Sequence, residues 1–139
     1  MISLADYYMG RADQYGDELT DDTRLNAEET VKRVNELLAL LLAHDVPLSR
    51  NPHTGSLLSS GWRPRTVNAA IHGAAINSKH MTGQACDLYD PDGDIDEWCM
   101  ENQDKLDDCG LWLEHPSATK GWCHVQVVPP RSGRRVFFP

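Results

Sequence analysis

The run Ser78-Lys-His80-Met-Thr-Gly83-Gln-Ala85-Cys-Asp87 carries a histidine and an aspartate seven positions apart, across a glycine-containing turn. On one continuous helix the two would stand two turns apart, too far along the axis to share an ion. With His80 in a loop and Asp87 on a strand, both side chains can converge on one point. Imidazole nitrogen and carboxylate oxygen both suit zinc. Strand alternation places Asp87 on the face of Ala85 and Tyr89, with Cys86 and Leu88 on the other. Alone, the pair is more simply a surface histidine and a strand aspartate. A third residue changes that balance. In Trp122-Cys-His124-Val-Gln126-Val, His124 and Gln126 share one strand face while Val125 and Val127 point to a core. A histidine on the polar face beside a glutamine is poorly explained by packing. Two histidines and one aspartate leave a fourth coordination position open, as catalytic rather than structural zinc sites do.

Hydrolysis at such a site also needs a proton carrier. Glu114 ends the apolar run Leu111-Trp-Leu113, and an acid there needs a partner or a function. His115 is the rival. Arg63, in Ser60-Gly-Trp-Arg63, precedes Pro64, which holds the backbone extended. A guanidinium placed there can grip a carboxylate or a developing oxyanion through paired N–H groups. The acidic run Asp90-Pro-Asp92-Gly-Asp94-Ile-Asp96, with Glu101, imitates a calcium loop but has Ile95 where that loop needs glycine. It reads as a turn followed by acidic capping of a helix.

Taken in order, Ser60-Gly-Trp-Arg63, Val67-Asn68-Ala-Ala70, Asn77 to Asp87 and Trp122-Cys-His124-Val resemble the zinc D-Ala-D-Ala carboxypeptidase family. That family includes bacterial D,D-carboxypeptidases and D,D-dipeptidases and phage endolysins, and it shares its fold with the Hedgehog signalling domain. The likeness covers residues 57–128. It implies one zinc ion on His80, Asp87 and His124. It also implies Arg63 and Glu114 as catalytic groups, with Arg63, Ser78 and Trp122 against the substrate. Gln84 joins Ser78 as a candidate support behind the ligands. Many relatives carry the acid three residues before the last histidine, where this chain has Gly121; Glu114 fits the version with the acid ending the preceding strand. The implied substrate is a peptidoglycan stem peptide, cut by carboxypeptidase or endolysin-like endopeptidase action. A non-catalytic zinc-binding domain of the same fold is the alternative.

These residues need elements to hold them. Thr20, Asp21 or Asp22 can cap a helix from about Leu25 to His44, with Val31, Val34, Leu37, Leu38, Leu41 and Leu42 as its stripe and Pro47 as its stop. Residues 1–24 read as a short helix or an arm. Strands are expected at Leu57–Trp62, Ala85–Tyr89, Leu111–Glu114 and Trp122–Val128. A short helix capped by Thr66 and closed by Gly73, and a second amphipathic helix over Ile95–Asp107, complete the set. The class is α+β: a small antiparallel sheet flanked by helices, Hedgehog/DD-peptidase-like, as a single domain over 1–139. Trp62, Trp98 and Trp112 read as core.

With 139 residues, the chain is long enough to bury a core without disulfides, so Cys86, Cys99, Cys109 and Cys123 read as free buried thiols. Cys99 and Cys109 are the pair to watch in an oxidising compartment. A net charge of -8 argues against binding nucleic acid or an anionic membrane, and places Arg131, Arg134 and Arg135 in surface ion pairs. No run is apolar enough to span a membrane. The first residues lack the pattern of a signal peptide, so synthesis in a cytoplasm is expected. A wall hydrolase of this kind would reach its substrate by a phage-type route or other delivery machinery, or meet wall peptides inside the cell.

Overall fold

The structure, a computed structural model, describes residues Met1–Pro139. The N-terminal arm forms two short helices, α1 (Leu4–Tyr8) and α2 (Arg11–Gln14), and a 3-10 turn at Gly16–Glu18. Ser3 and Asp6 start α1 with a reciprocal cap, each side chain accepting from the other's backbone N–H. Thr20 accepts from the Thr23 N–H and opens α3 (Asp21–Ala43), whose first turn holds Asp21 and Asp22.

Val31, Val34, Leu37, Leu38 and Leu41 of α3 are buried as the periodicity requires, but Leu42 is exposed. A leucine one position past Leu41 lies about 100° around the helix, beyond the buried stripe. The helix also ends before Pro47. Asp45 adopts a left-handed conformation at φ 57°, and the Val46 N–H turns back to the Leu41 carbonyl at 3.0 Å.

After α3 come β1 (Leu58–Ser60), α4 (Arg65–Ala70), β2 (Ala85–Asp90), α5 (Asp94–Glu101), α6 (Gln103–Cys109), β3 (Trp112–Glu114), β4 (Gly121–Gln126) and β5 (Val136–Phe137). Thr66 does not cap α4. The helix starts at Arg65, Thr66 donates to Glu18, and Ile71 rather than Gly73 closes it. The helix expected over Ile95–Asp107 is broken in two at Asn102, whose side chain donates to the Trp98 carbonyl at 2.8 Å. An asparagine side chain bonded to a carbonyl of the preceding turn competes with helix propagation. The Asp90 carboxylate caps α5, accepting from the Ile95 and Asp96 N–H groups, so the acidic run is a helix start.

The sheet order is β1-β2-β4-β3-β5. The first four strands pair antiparallel as expected; β5 joins β3 in parallel, making the five-stranded sheet mixed. On one face Leu58, Cys86, Leu88, Leu113, Cys123 and Val125 pack with the buried side of α3 and with Ile95, Trp98 and Leu106 from α5 and α6. The four cysteines are free and buried. Trp62 and Trp98 belong to this core, whereas Trp112 is only half-buried on β3, under the Arg135 guanidinium at 4.4 Å. Arg135 also pairs with Asp107. No helix is long and apolar enough to cross a membrane.

The arm is strapped to this body. Asn35 on α3 holds both backbone groups of Ile2, at 2.9 Å each. The Tyr7 hydroxyl donates to the Ala85 carbonyl at 2.7 Å, and the Tyr7 carbonyl accepts from the Trp62 N–H at 2.9 Å. Gly61 sits directly beneath, where an added Cβ would lie 2.1 Å from the Tyr7 oxygen. Gly61→Ala must therefore push α1 off β1, at a cost of about 1–3 kcal/mol or more. Urea unfolding measures this, and an unchanged midpoint would show the contact to be slack.

Candidate metal centre

The opposite face of the sheet is polar, and strand register assembles it. Asp87 on β2 lies directly opposite His124 on β4. Trp112 lies opposite Gln126 and Leu113 opposite Val125, so the next step along β3 brings Glu114 beside His124. Leu58 pairs with Leu88 but Ser60 pairs with Asp87, two positions of β1 against one of β2. This bulge keeps Leu58 in the core while turning Ser60 to the polar face.

His80 arrives from the loop between α4 and β2. Ser78 Oγ accepts from the His80 N–H at 3.2 Å, and the His80 carbonyl accepts from the Arg63 N–H at 3.0 Å. Gly83, at φ 74°, makes the turn into β2; a Cβ there would lie 2.9 Å from the Thr23 carbonyl oxygen on α3. The loop is thus held from both sides.

The three predicted ligands meet. His80 Nε2 lies 3.2 Å from Asp87 Oδ2, and His124 Nδ1 lies 2.8 Å from Asp87 Oδ1. One donor atom from each of the three falls within 4.8 Å of the others. Each ring gives its other nitrogen to a framework oxygen: His80 to the Gly61 carbonyl at 2.8 Å and His124 to Gln126 Oε1 at 3.1 Å. Two imidazoles and a carboxylate, close enough to face one ion and each oriented from behind, fit zinc.

Arg63 lies beside them. Its guanidinium donates to Asn68 Oδ1 at 3.1 Å and Ser60 Oγ at 3.2 Å, and one terminal nitrogen stands 3.8 Å from Asp87 Oδ2. Its buried Nε has no partner. A cleft of about 490 Å³ opens over the group, lined by Arg63, Ser78, Glu114 and Trp122 as well as the three ligand candidates. Two other candidates point elsewhere. Gln84 Oε1 accepts from the Thr82 hydroxyl, so its amide does not back a ligand. His115 accepts from the Ser117 N–H at the start of the 3-10 turn Pro116–Ala118 and stacks on Phe138, outside the cleft lining.

The electrostatics follow from burial and neighbours. Burial opposes ionisation of Asp87, but the His80 charge and hydrogen bonds from His124 and His80 outweigh it and hold the carboxyl well below the usual range. Burial pulls His124 down, yet its hydrogen bond and attraction to Asp87 carry it above its ordinary value. Glu114 is raised, by burial first, with His124 pulling against it and Asp87 adding to it.

A family model described as Peptidase M15 matches residues 18–125. The chain belongs to the Peptidase M15 family, the zinc D-Ala-D-Ala carboxypeptidase type. Neither the curated proteins nor the solved structures compared with it yielded a match. The Peptidase M15 segment contains all three ligand candidates together with Arg63, Ser78, Glu114 and Trp122. It leaves out α1, whose Tyr7 carbonyl packs under the Gly61 peptide that receives His80.

Sequence reasoning missed Asp96, which it treated as one acid among several at the start of α5. It is buried. One carboxylate oxygen accepts from Thr119 at 3.2 Å, tying α5 to the loop after Glu114, and the other has no partner. Nothing local marks it, because its burial comes from Thr119 and Cys123, far along the chain. Burial pushes Asp96 up to about 6. The folded state therefore holds this proton more tightly than the unfolded chain, where an aspartate titrates near ~3.9. That contribution to stability is complete below the unfolded value and is lost as pH rises through about 6. Asp96→Asn should gain stability relative to the wild type as pH goes from ~4 to ~7, then level off. Denaturant titrations across that range provide the check, and parallel curves would refute the assignment.

Proposed function

We propose that this protein is a zinc-dependent peptidase that hydrolyses peptide bonds in bacterial cell-wall stem peptides, as a D-Ala-D-Ala carboxypeptidase or an endolysin-like endopeptidase. The observation that carries the reading is the convergence of His80, Asp87 and His124 at the floor of a cleft that also holds Glu114 and Arg63. When bound, a zinc ion there supplies Lewis-acid polarisation of a carbonyl and an acidified water.

The remaining chemistry belongs to the chain. Glu114 takes the proton of the attacking water as its oxygen bonds to the carbonyl carbon, and delivers that proton to the leaving amine as the C–N bond breaks. Its position at the end of β3, beside His124, suits both transfers. Burial raises Glu114, which improves it as a base. Arg63, anchored by Asn68 and Ser60, offers its guanidinium to a substrate carboxylate or carbonyl. Trp122 forms a wall of the cleft, and Ser78 both lines it and fixes the His80 loop.

Glu114→Gln should lower kcat/KM on peptidoglycan-derived peptides by about 10²–10⁴-fold while leaving bound zinc unchanged. The wild-type acid limb should lie above the ordinary glutamate value of ~4.3, and should disappear in the variant. His124→Ala should lose the zinc. Product chromatography and metal analysis read both variants. Undiminished hydrolysis by Glu114→Gln would remove Glu114 from the mechanism, and zinc binding without any hydrolysis by the wild type would favour a non-catalytic zinc domain.

A further inference from the structure

Gln126 ends β4 on the polar face of the sheet, and it is buried. Its amide is committed at both ends. The Nε2 donates to the Val128 carbonyl at 2.9 Å, and Oε1 stands 3.1 Å from His124 Nε2. A backbone carbonyl can only accept, so the amide NH₂ must face Val128 and the amide oxygen must face the ring. An amide oxygen also only accepts, so His124 Nε2 must carry its proton. Nδ1 donates to Asp87 Oδ1 at 2.8 Å, so it is the nitrogen whose lone pair a metal would take in place of that proton.

His80 is held in the opposite sense. Its Nδ1 faces the Gly61 carbonyl, another pure acceptor, which leaves Nε2 toward Asp87. One ring is oriented by backbone and the other by a side chain, so only the second can be changed without moving the main chain.

We infer that Gln126 is a positioning residue that locks His124 with its proton on Nε2 and its Nδ1 lone pair on the metal point. This rests on the reading of His124 as a zinc ligand. In outline, Val128 orients Gln126, Gln126 orients His124, and His124 faces the ion. The role requires an acceptor toward His124 and a donor toward Val128 that aims it.

The test compares zinc affinity of the full chain, by chelator competition, in wild type, Gln126→Leu and Gln126→Glu. Removing a partner that orients a metal-bound histidine typically weakens metal binding about 10–100-fold. Gln126→Leu should fall in that range, and Gln126→Glu, which keeps the acceptor for His124 but loses the donor to Val128, should lie between Gln126→Leu and the wild type. Long-range ¹H–¹⁵N spectra of the zinc-loaded wild type should show His124 protonated at Nε2. Thermal unfolding of the metal-free variants separates lost folding from lost positioning. Tight zinc binding by a folded Gln126→Leu, or His124 coordinating through Nε2, would overturn the role of Gln126 alone. A wild type that binds no zinc would overturn the metal-site reading, and this inference with it.

Discussion

The carboxylate of Asp87 is buried, ionised and shared among three cationic or proton-donating partners. A charge held away from water is costly unless its neighbours replace the lost solvation. Arg63, His80 and His124 do this from the segment after β1, the loop before β2 and the strand β4. Each must approach within a few ångströms, and that requirement dictates where all three segments run. The proposed zinc ion would answer the same need, because a cation facing two imidazoles and a carboxylate suits all of them together.

The sheet keeps core and cleft apart. Its apolar face packs on α3, α5 and α6, and its polar face carries the cleft. Period-two alternation makes this possible with no extra elements, since adjacent residues such as Cys123 and His124 serve different faces. The bulge in β1 repairs the one place where alternation alone would fail. Without it, Leu58 and Ser60 would share a face, and either the core or the Arg63 anchor would be lost. The N-terminal arm adds a second layer of support. Through Tyr7 it touches Gly61 on one side of the site and Ala85 on the other.

Much of this was legible in the residues. The glycine turn before Ala85, the alternation around Asp87 and His124, the stripe of α3 and the acidic start of α5 all express short-range geometry, and each appears in the structure. What went unread depends on which hydrogen bonds and packing partners win, and some of those partners are distant in the chain. Asn102 split a helix by bonding the Trp98 carbonyl one turn back, although the apolar pattern continued past it. His115 and Glu114 are neighbours in sequence, and only the stacking of Phe138 and the Ser117 cap turned one away while the other lined the cleft. Asp96 looks like any acid at a helix start until Thr119 and Cys123 close over it.

By itself the sequence determined which donor atoms exist, which face of a strand each occupies and which family motifs they compose. These follow from residue type and from the periods of helix and strand, which act over a few residues. Only the tertiary structure decided which donors meet, which nitrogen of each histidine turns to Asp87, which of two adjacent proton carriers lines the cleft, and which acids lose their water. Register, burial and hydrogen-bond partnership are set by contacts between segments tens of residues apart, and the local pattern holds no record of them.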